Sequence, residues 1–250
     1  MTRDEKWLLE EKYHGNATVA YAADAKRLAS GEPLGYVIGW QPFLGLNIYL
    51  DSHPLIPRPE TEWWTEQLLT NLEAKLPIGS FASKFKFLDL CAGSGAIGCA
   101  ALARLPDARV YFGEIDPAHT ATIVKNIREN NLDEPRADIL TGDLFGPFAG
   151  LRFDVIAANP PYVSAGRALP SSVAGYEPAT ALFAGEDGLD IIRRIAKELS
   201  KYLKESGTAW IECDSAHAAA ACALFAEQGF DAQIRTDQYG DSRVLVVSFP

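Results

Sequence analysis

The chain has 250 residues, 48% of them apolar, enough for one sizeable domain with a small addition. Its formal charge of −10, from 23 basic and 33 acidic side chains, argues against the dense basic footprint that neutralises nucleic-acid phosphates, so no direct nucleic-acid binding is expected. The sequence has no apolar run of the roughly 18 residues a membrane span needs, and Met1–Lys6 opens without an apolar signal region, which together predict a cytoplasmic protein.

Residues 4–13 and 17–30 carry Ala and Leu at helical spacing and are predicted to form a short helical segment over 1–34. Tyr36–Trp40 and Leu46–Leu50 read as two strands joined through Pro42 and Gly45, a β-hairpin within a linker over 35–60. The main domain, 61–250, opens with a helix over Thr61–Leu76, capped by Thr61, with Trp63 and Trp64 packing in its first turn.

Phe85–Leu90 reads as a buried strand that runs into Cys91-Ala92-Gly93-Ser94-Gly95 and then into a helix over Ala96–Ala103. Strand, Gly-rich turn, helix is the geometry of a nucleotide site in a doubly wound sheet. The turn lacks both the three-glycine dinucleotide spacing and a Gly-Lys-Ser/Thr run, so phosphate is not its expected ligand. The next strand, Arg109–Gly113, ends at Glu114, about twenty positions after the turn, where a carboxylate suits a ribose diol. Asp116 is predicted to cap the helix that Pro117 opens. A third strand near Ala137–Leu140 leads to Asp143, an acceptor for an adenine amine, and Leu144, apolar packing for the ring. A ligand with a ribose, a base and no phosphate fits these three strand ends, and S-adenosylmethionine is such a ligand.

The apolar run Phe153–Ala158 ends in Asn159-Pro160-Pro161-Tyr162. Two prolines lock two φ angles and remove two backbone donors, and each restricts the residue before it, so the loop is stiff. The Asn159 side-chain oxygen and the Pro160 carbonyl can accept the two protons of a planar NH2 group, while Tyr162 stacks on its face. The catalytic role therefore falls on Asn159, Pro160 and Tyr162, and substrate binding on these three with Pro161, as a receptor for an amide or an exocyclic amine. No general base is assigned: His14, His53, His119 and His217 are scattered and read as surface or cap residues.

Ser164–Gly188, rich in Gly, Ala, Ser and Pro, is a long connection predicted to act as a flap with some helix. Strands and helices alternate through the domain, which predicts a mostly parallel sheet with helices on both faces and ligands at the carboxyl ends of its strands. Cys91, Cys99, Cys213 and Cys222 form no Cys-x-x-Cys pair, so neither zinc nor a disulfide framework is expected. Lys84-Phe85-Lys86 and Arg193-Arg194 read as solvated edges.

Four stretches together resemble the release-factor glutamine methyltransferases, the PrmC (HemK) family: Gly31–Gly39 with Phe43-Leu44-Gly45, Leu55–Glu62 (Leu-Ile-Pro-Arg-Pro-Glu-Thr-Glu), the turn from Asp89 to Ile97, and Asn159–Val163. The resemblance covers about residues 20–250, with weaker echoes at Glu177-Pro178 and Asp241–Val244. It implies a Rossmann-like class I fold with a seven-stranded sheet and S-adenosylmethionine as cofactor. It also implies transfer of a methyl group to the glutamine of the Gly-Gly-Gln loop of peptide-chain release factors. Carried over by position, the cofactor residues are Cys91 to Gly95, Glu114, Leu144 and Asn159. The sequence departs from the family pattern at Cys91 (often Gly), Glu114 (often Asp) and Leu144 (often aromatic). The family also carries a longer helical domain ahead of the Gly-Glu-Pro stretch than the thirty residues here. Because amino-methylating enzymes of DNA and RNA share the Asn-Pro-Pro-Tyr loop, N6-adenine or N4-cytosine methylation stays an alternative, as does a non-catalytic cofactor-binding partner of translation.

Overall fold

The computed structural model describes residues 1–75 and 85–250, so Leu76 and Lys84 of the predicted elements lie outside the described residues. Thr2 and Thr18 cap the first two helices, α1 (Arg3–Glu11) and α2 (Val19–Ala29), each side chain accepting a first-turn N–H. Asp24 ties the pair together: it accepts from Lys12 Nζ (2.7 Å), the Tyr13 hydroxyl (2.7 Å) and Arg27 Nη1 (2.8 Å).

Where a strand was expected at Tyr36–Trp40, the chain forms a short helix, α3 (Leu34–Ile38), and the strand β1 (Trp40–Phe43) begins later. Pro33 sets the entry to the helix, Gly39 at φ 102° ends it, and the Tyr36 hydroxyl is buried in a bond to the Pro54 carbonyl (2.7 Å). Strand β2 (Leu46–Tyr49) pairs antiparallel with β1. Leu44 (φ 47°) and Gly45 (φ 81°) make the two-residue turn, while Pro42 sits inside β1 opposite Asn47.

The next helix, α4 (Pro59–Lys75), starts two residues earlier than predicted because Pro59 takes its first position. Thr61 is therefore within the first turn and is not a cap. Its hydroxyl instead reaches Glu212. Trp64 is fully buried and Trp63 packs beside it, as expected of core aromatics.

Seven strands form the main sheet: β3 (Lys86–Leu90), β4 (Arg109–Glu114), β5 (Ala137–Thr141), β6 (Phe153–Ala158), β7 (Leu203–Glu212), β8 (Asp231–Thr236) and β9 (Ser242–Ser248), in the order β5-β4-β3-β6-β7-β9-β8. β9 runs antiparallel to both of its neighbours, and the pairings from β5 to β7 are parallel. Helices α5 (Ala96–Arg104) and α6 (Pro117–Glu129) follow β3 and β4. The connection after β6 contains two one-turn helices, α7 (Ser171–Ala174) and α8 (Ala179–Leu182). Helix α9 (Asp190–Tyr202) precedes β7, and α10 (Ala218–Ala226) precedes β8.

Successive residues of the central strands face opposite cores. Leu88, Leu90, Ile156 and Ala158 join Phe145, Phe148, Ile195 and Phe225 on one face. Phe87, Val155 and Ala157 join Phe112, Ile97, Ile123 and Trp64 on the other. Burial on both faces explains why these strands read as mostly apolar runs, broken by Asp89 in β3 and Asp154 in β6. The strand order reverses between β3 and β6, and the crevice this opens lies at their carboxyl ends.

Candidate active site

A cavity of about 540 Å³ occupies that crevice. The turn after β3 supplies one wall through left-handed backbone at Cys91 (φ 60°), Gly93 (φ 55°) and Gly95 (φ 77°). A cysteine in that region is strained where glycine is not, which gives a physical reason for the glycine that the family often has at this position. Gly95 packs inward: a Cβ there would meet Ile123 Cγ1 at 3.0 Å. Beneath the turn, buried Asp89 accepts the Gly98 N–H (2.8 Å), and burial raises its carboxyl well above the usual range, with the Glu114 charge adding to the rise.

Glu114 is buried, so it is not a solvated strand-end charge. Its Oε2 accepts the Gly93 N–H (2.7 Å) and its Oε1 accepts the Asp116 N–H (2.9 Å), bracing the Gly-rich turn against the end of β4. Asp116 caps α6 through the Ala118 N–H (2.8 Å), with Pro117 in the first turn. His119 departs from its surface reading: it is buried, its Nδ1 lies 2.8 Å from the Ser52 hydroxyl, and it lines the cavity. His217 is half-buried, and its Nε2 is buried without a protein partner.

Of the predicted cofactor residues, Cys91, Ala92, Gly93, Ser94, Glu114, Asp143, Leu144 and Asn159 line the cavity, whereas Gly95 stands behind it. Asp143 Oδ2 accepts from Arg194 Nη2 (2.6 Å), so Arg194 belongs to the cavity wall and is more than a solvated edge. Ile115 escaped the sequence reading. It is 62% exposed at the cavity, and its signal was an apolar side chain directly after the acidic strand end.

The four residues of the Asn-Pro-Pro-Tyr loop divide. Asn159 and Pro161 line the cavity, Pro160 is buried, and the Tyr162 hydroxyl points away into a bond with Glu212 Oε1 (2.9 Å). Asn159 Nδ2 donates to Thr61 Oγ1 (3.1 Å), while Asn159 Oδ1 is buried with no protein partner. Glu212, at the end of β7, also accepts from Thr61 Oγ1 and Trp64 Nε1, both at 2.7 Å to Oε2. Burial raises the Glu212 pKa, and the bonds from Trp64, Thr61 and Tyr162, with the Arg243 charge, pull against that rise. The sequence reading missed Glu212, although an acid closing the apolar run Ala209-Trp210-Ile211 marks it.

The connection after β6 is folded onto the site. Val163 and Phe183 form a parallel bridge, Arg167 pairs with Asp214, and Arg58 Nη2 donates to buried Glu177 Oε1 (2.6 Å). This last pair joins two sequence stretches of the resemblance that lie more than a hundred residues apart.

The Methyltransferase small domain family matches residues 63–174. A release factor glutamine methyltransferase of Streptococcus pneumoniae is 34% identical over 251 residues, which cover 98% of this chain and 81% of that protein. Another, of Thermodesulfovibrio yellowstonii, is 36% identical over 225 residues, covering 89% and 78%. The chain belongs to the release factor glutamine methyltransferase family. The solved hMettl16 catalytic domain in complex with MAT2A 3′UTR hairpin 1 shares its fold, with a TM-score of 0.61 at 20% identity over 99% of this chain and 88% of that one. The sheet order and these likenesses establish a class I S-adenosylmethionine-dependent methyltransferase fold.

The residues of this chain fit that cofactor. Buried Glu114 has lone pairs left after its two backbone bonds, a match for a ribose diol. Ile115 and Leu144 offer apolar surface on the same wall as Asp143, an acceptor for an amine. Among the described residues no group of His, Cys, Asp and Glu could hold a metal, and no helix is long and apolar enough to cross a membrane.

Proposed function

We propose that this chain methylates the side-chain amide nitrogen (N5) of the glutamine in the Gly-Gly-Gln loop of a peptide-chain release factor, and that it works in the cytoplasm where release factors act. The observation that carries this reading is Asn159 Oδ1, a buried acceptor without a protein partner on a residue of the cavity wall. A buried acceptor left unpaired costs about 1–3 kcal/mol, and an incoming amide N–H removes that cost.

An amide nitrogen is a weak nucleophile because its lone pair is delocalised into the carbonyl, but it carries no proton that must leave before attack. The cofactor, when bound, supplies a methyl group activated on a sulfonium. Asn159 Oδ1 and the Pro160 carbonyl then have one task, to accept hydrogen bonds from the two amide N–H groups and fix the direction of the lone pair; once the nitrogen carries the methyl group it sheds one of its two protons to water. The double-proline backbone keeps both acceptors in place, so orientation costs little at the moment of reaction. Pro161 and Phe183 on the cavity wall exclude water from the exchange. Tyr162 contributes by anchoring the end of the loop through Glu212.

The test is incubation with S-adenosylmethionine and an intact bacterial release factor, followed by the mass of the Gly-Gly-Gln peptide. One added methyl on the glutamine is expected, falling by about 100-fold or more in rate with Asn159→Ala while cofactor affinity stays near wild type. Methyl transfer to a nucleic-acid amine with no change in the release factor would reject the substrate.

A further inference from the structure

We infer that Thr61 and Glu212 are positioning residues that set the polarity of the Asn159 amide, so that its oxygen and not its NH2 faces the methyl acceptor; this rests on the substrate reading above. The two ends of a side-chain amide are alike in shape, and only its hydrogen-bond partners decide which end faces where. Here donor counting decides. The Trp64 indole N–H can only donate, so the Glu212 oxygen it meets at 2.7 Å must accept. The same oxygen lies 2.7 Å from Thr61 Oγ1, and Thr61 spends its single proton there. Thr61 then has only lone pairs for its third neighbour, so the Asn159 atom 3.1 Å away must be the NH2. Asn159 Oδ1 is the end that remains.

The reversed amide would fail twice. Its oxygen would face a Thr61 hydroxyl already committed to Glu212, and its NH2 would face the protons of the incoming amide. Glu212 also receives the Tyr162 hydroxyl on its other oxygen, at 2.9 Å, so one carboxylate fixes both ends of the loop. The relay joins α4, the loop after β6 and the end of β7, so no local sequence motif contains it. Glu212 is about 1% exposed and Thr61 about 3%, which keeps water from supplying the missing donor or acceptor.

The test uses the full chain, S-adenosylmethionine and an intact bacterial release factor. Thr61→Val keeps the shape and removes the hydroxyl. It is expected to lower kcat about tenfold, the effect of one oriented hydrogen bond, with KM for the release factor and Kd for the cofactor near wild type. Thr61→Ser restores the hydroxyl and is expected to recover most of the loss. Glu212→Gln still presents an acceptor to Trp64, because the indole cannot accept, and so is expected to retain more activity than Thr61→Val. An unchanged kcat in Thr61→Val, or equal losses in kcat and cofactor affinity, overturns the inference.

A second readout is independent of the substrate. The Asn159 side-chain NH2, assigned by its loss in Asn159→Ala, is expected to exchange its protons more slowly in the wild-type chain than in Thr61→Val. Equal exchange rates overturn the polarity assignment. A wild-type chain that leaves the release factor unmethylated yet shows the protected NH2 rejects the substrate reading and upholds the relay.

Discussion

Replacing Glu114 by Gln separates the bracing duty that the structure shows for this side chain from the ribose-binding duty proposed for it. In the folded protein its two oxygens accept the N–H groups of Gly93 (2.7 Å) and Asp116 (2.9 Å), and the residue is 6% exposed. A glutamine can accept at one of these positions but must point NH2 at the other, leaving one backbone N–H facing a donor. An unmet donor of this kind costs about 1–3 kcal/mol. For a protein of this length each kcal/mol is worth about 2–4 °C, so the midpoint of thermal unfolding should fall by roughly 2–12 °C. The second duty concerns the ribose hydroxyls, which would donate to the lone pairs left over. Hydrogen bonds to a charged acceptor contribute about 1.5–3 kcal/mol, so the cofactor Kd should rise about 10- to 150-fold. Titration calorimetry with S-adenosylmethionine measures the second effect, and differential scanning calorimetry of the cofactor-free chain measures the first. A lowered midpoint with Kd within about twofold of wild type would leave Glu114 as a brace for the Gly-rich turn and refute its ribose role.

Two further expectations concern stability. Gly98→Ala places a Cβ 2.2 Å from Phe112 Cε1 where α5 lies on β4, and such overpacking costs about 1–3 kcal/mol; urea unfolding should show it, and Phe112→Leu in the same chain should cost less than the two changes summed. Simple additivity would mean that the ring is not what α5 meets. At Asp24, burial favours the neutral acid, but the bonds from Lys12, Tyr13 and Arg27 outweigh it and hold the pKa near about 2, below the ordinary 3.8. A depressed acid stabilises the fold above its unfolded pKa and loses that contribution as pH falls through the folded value, so the stability gap between wild type and Asp24→Asn should close as pH drops from 3.8 to about 2. A gap that stays constant across that window would refute the role of the Asp24 carboxylate.

The misreadings share a cause. Tyr36–Trp40 has strand-like composition, yet the Tyr36 hydroxyl finds the Pro54 carbonyl and Gly39 turns the chain, so tertiary contacts override propensity in a five-residue stretch. Thr61 looks like a cap because Ser and Thr favour that position, but Pro59 takes the first helical position and frees the hydroxyl for Glu212. His119 looks like a surface residue on a polar helix, until α6 packs it beside Ser52 from the segment that follows the hairpin. In each case the hydrogen-bond partner that the side chain finds is remote in sequence, although Pro59 and Gly39 act locally.

By itself the sequence determined whatever depends on neighbours within a few positions. The mostly apolar runs Phe87–Leu90 (interrupted by Asp89) and Val155–Ala158 mark strands buried on both faces, the glycines mark the left-handed turn, Asp116-Pro117 marks a helix start, and two prolines stiffen the loop that bears Asn159. Backbone dihedrals and periodicity are local properties, so the fold class and most of the residues that line the cavity were legible. Only the tertiary structure decided which end of the Asn159 amide is free, that Arg58 grips Glu177, and that Glu212 anchors the loop from behind. Those outcomes depend on how donors and acceptors from distant segments balance once water is removed, and that balance exists only when the segments have met.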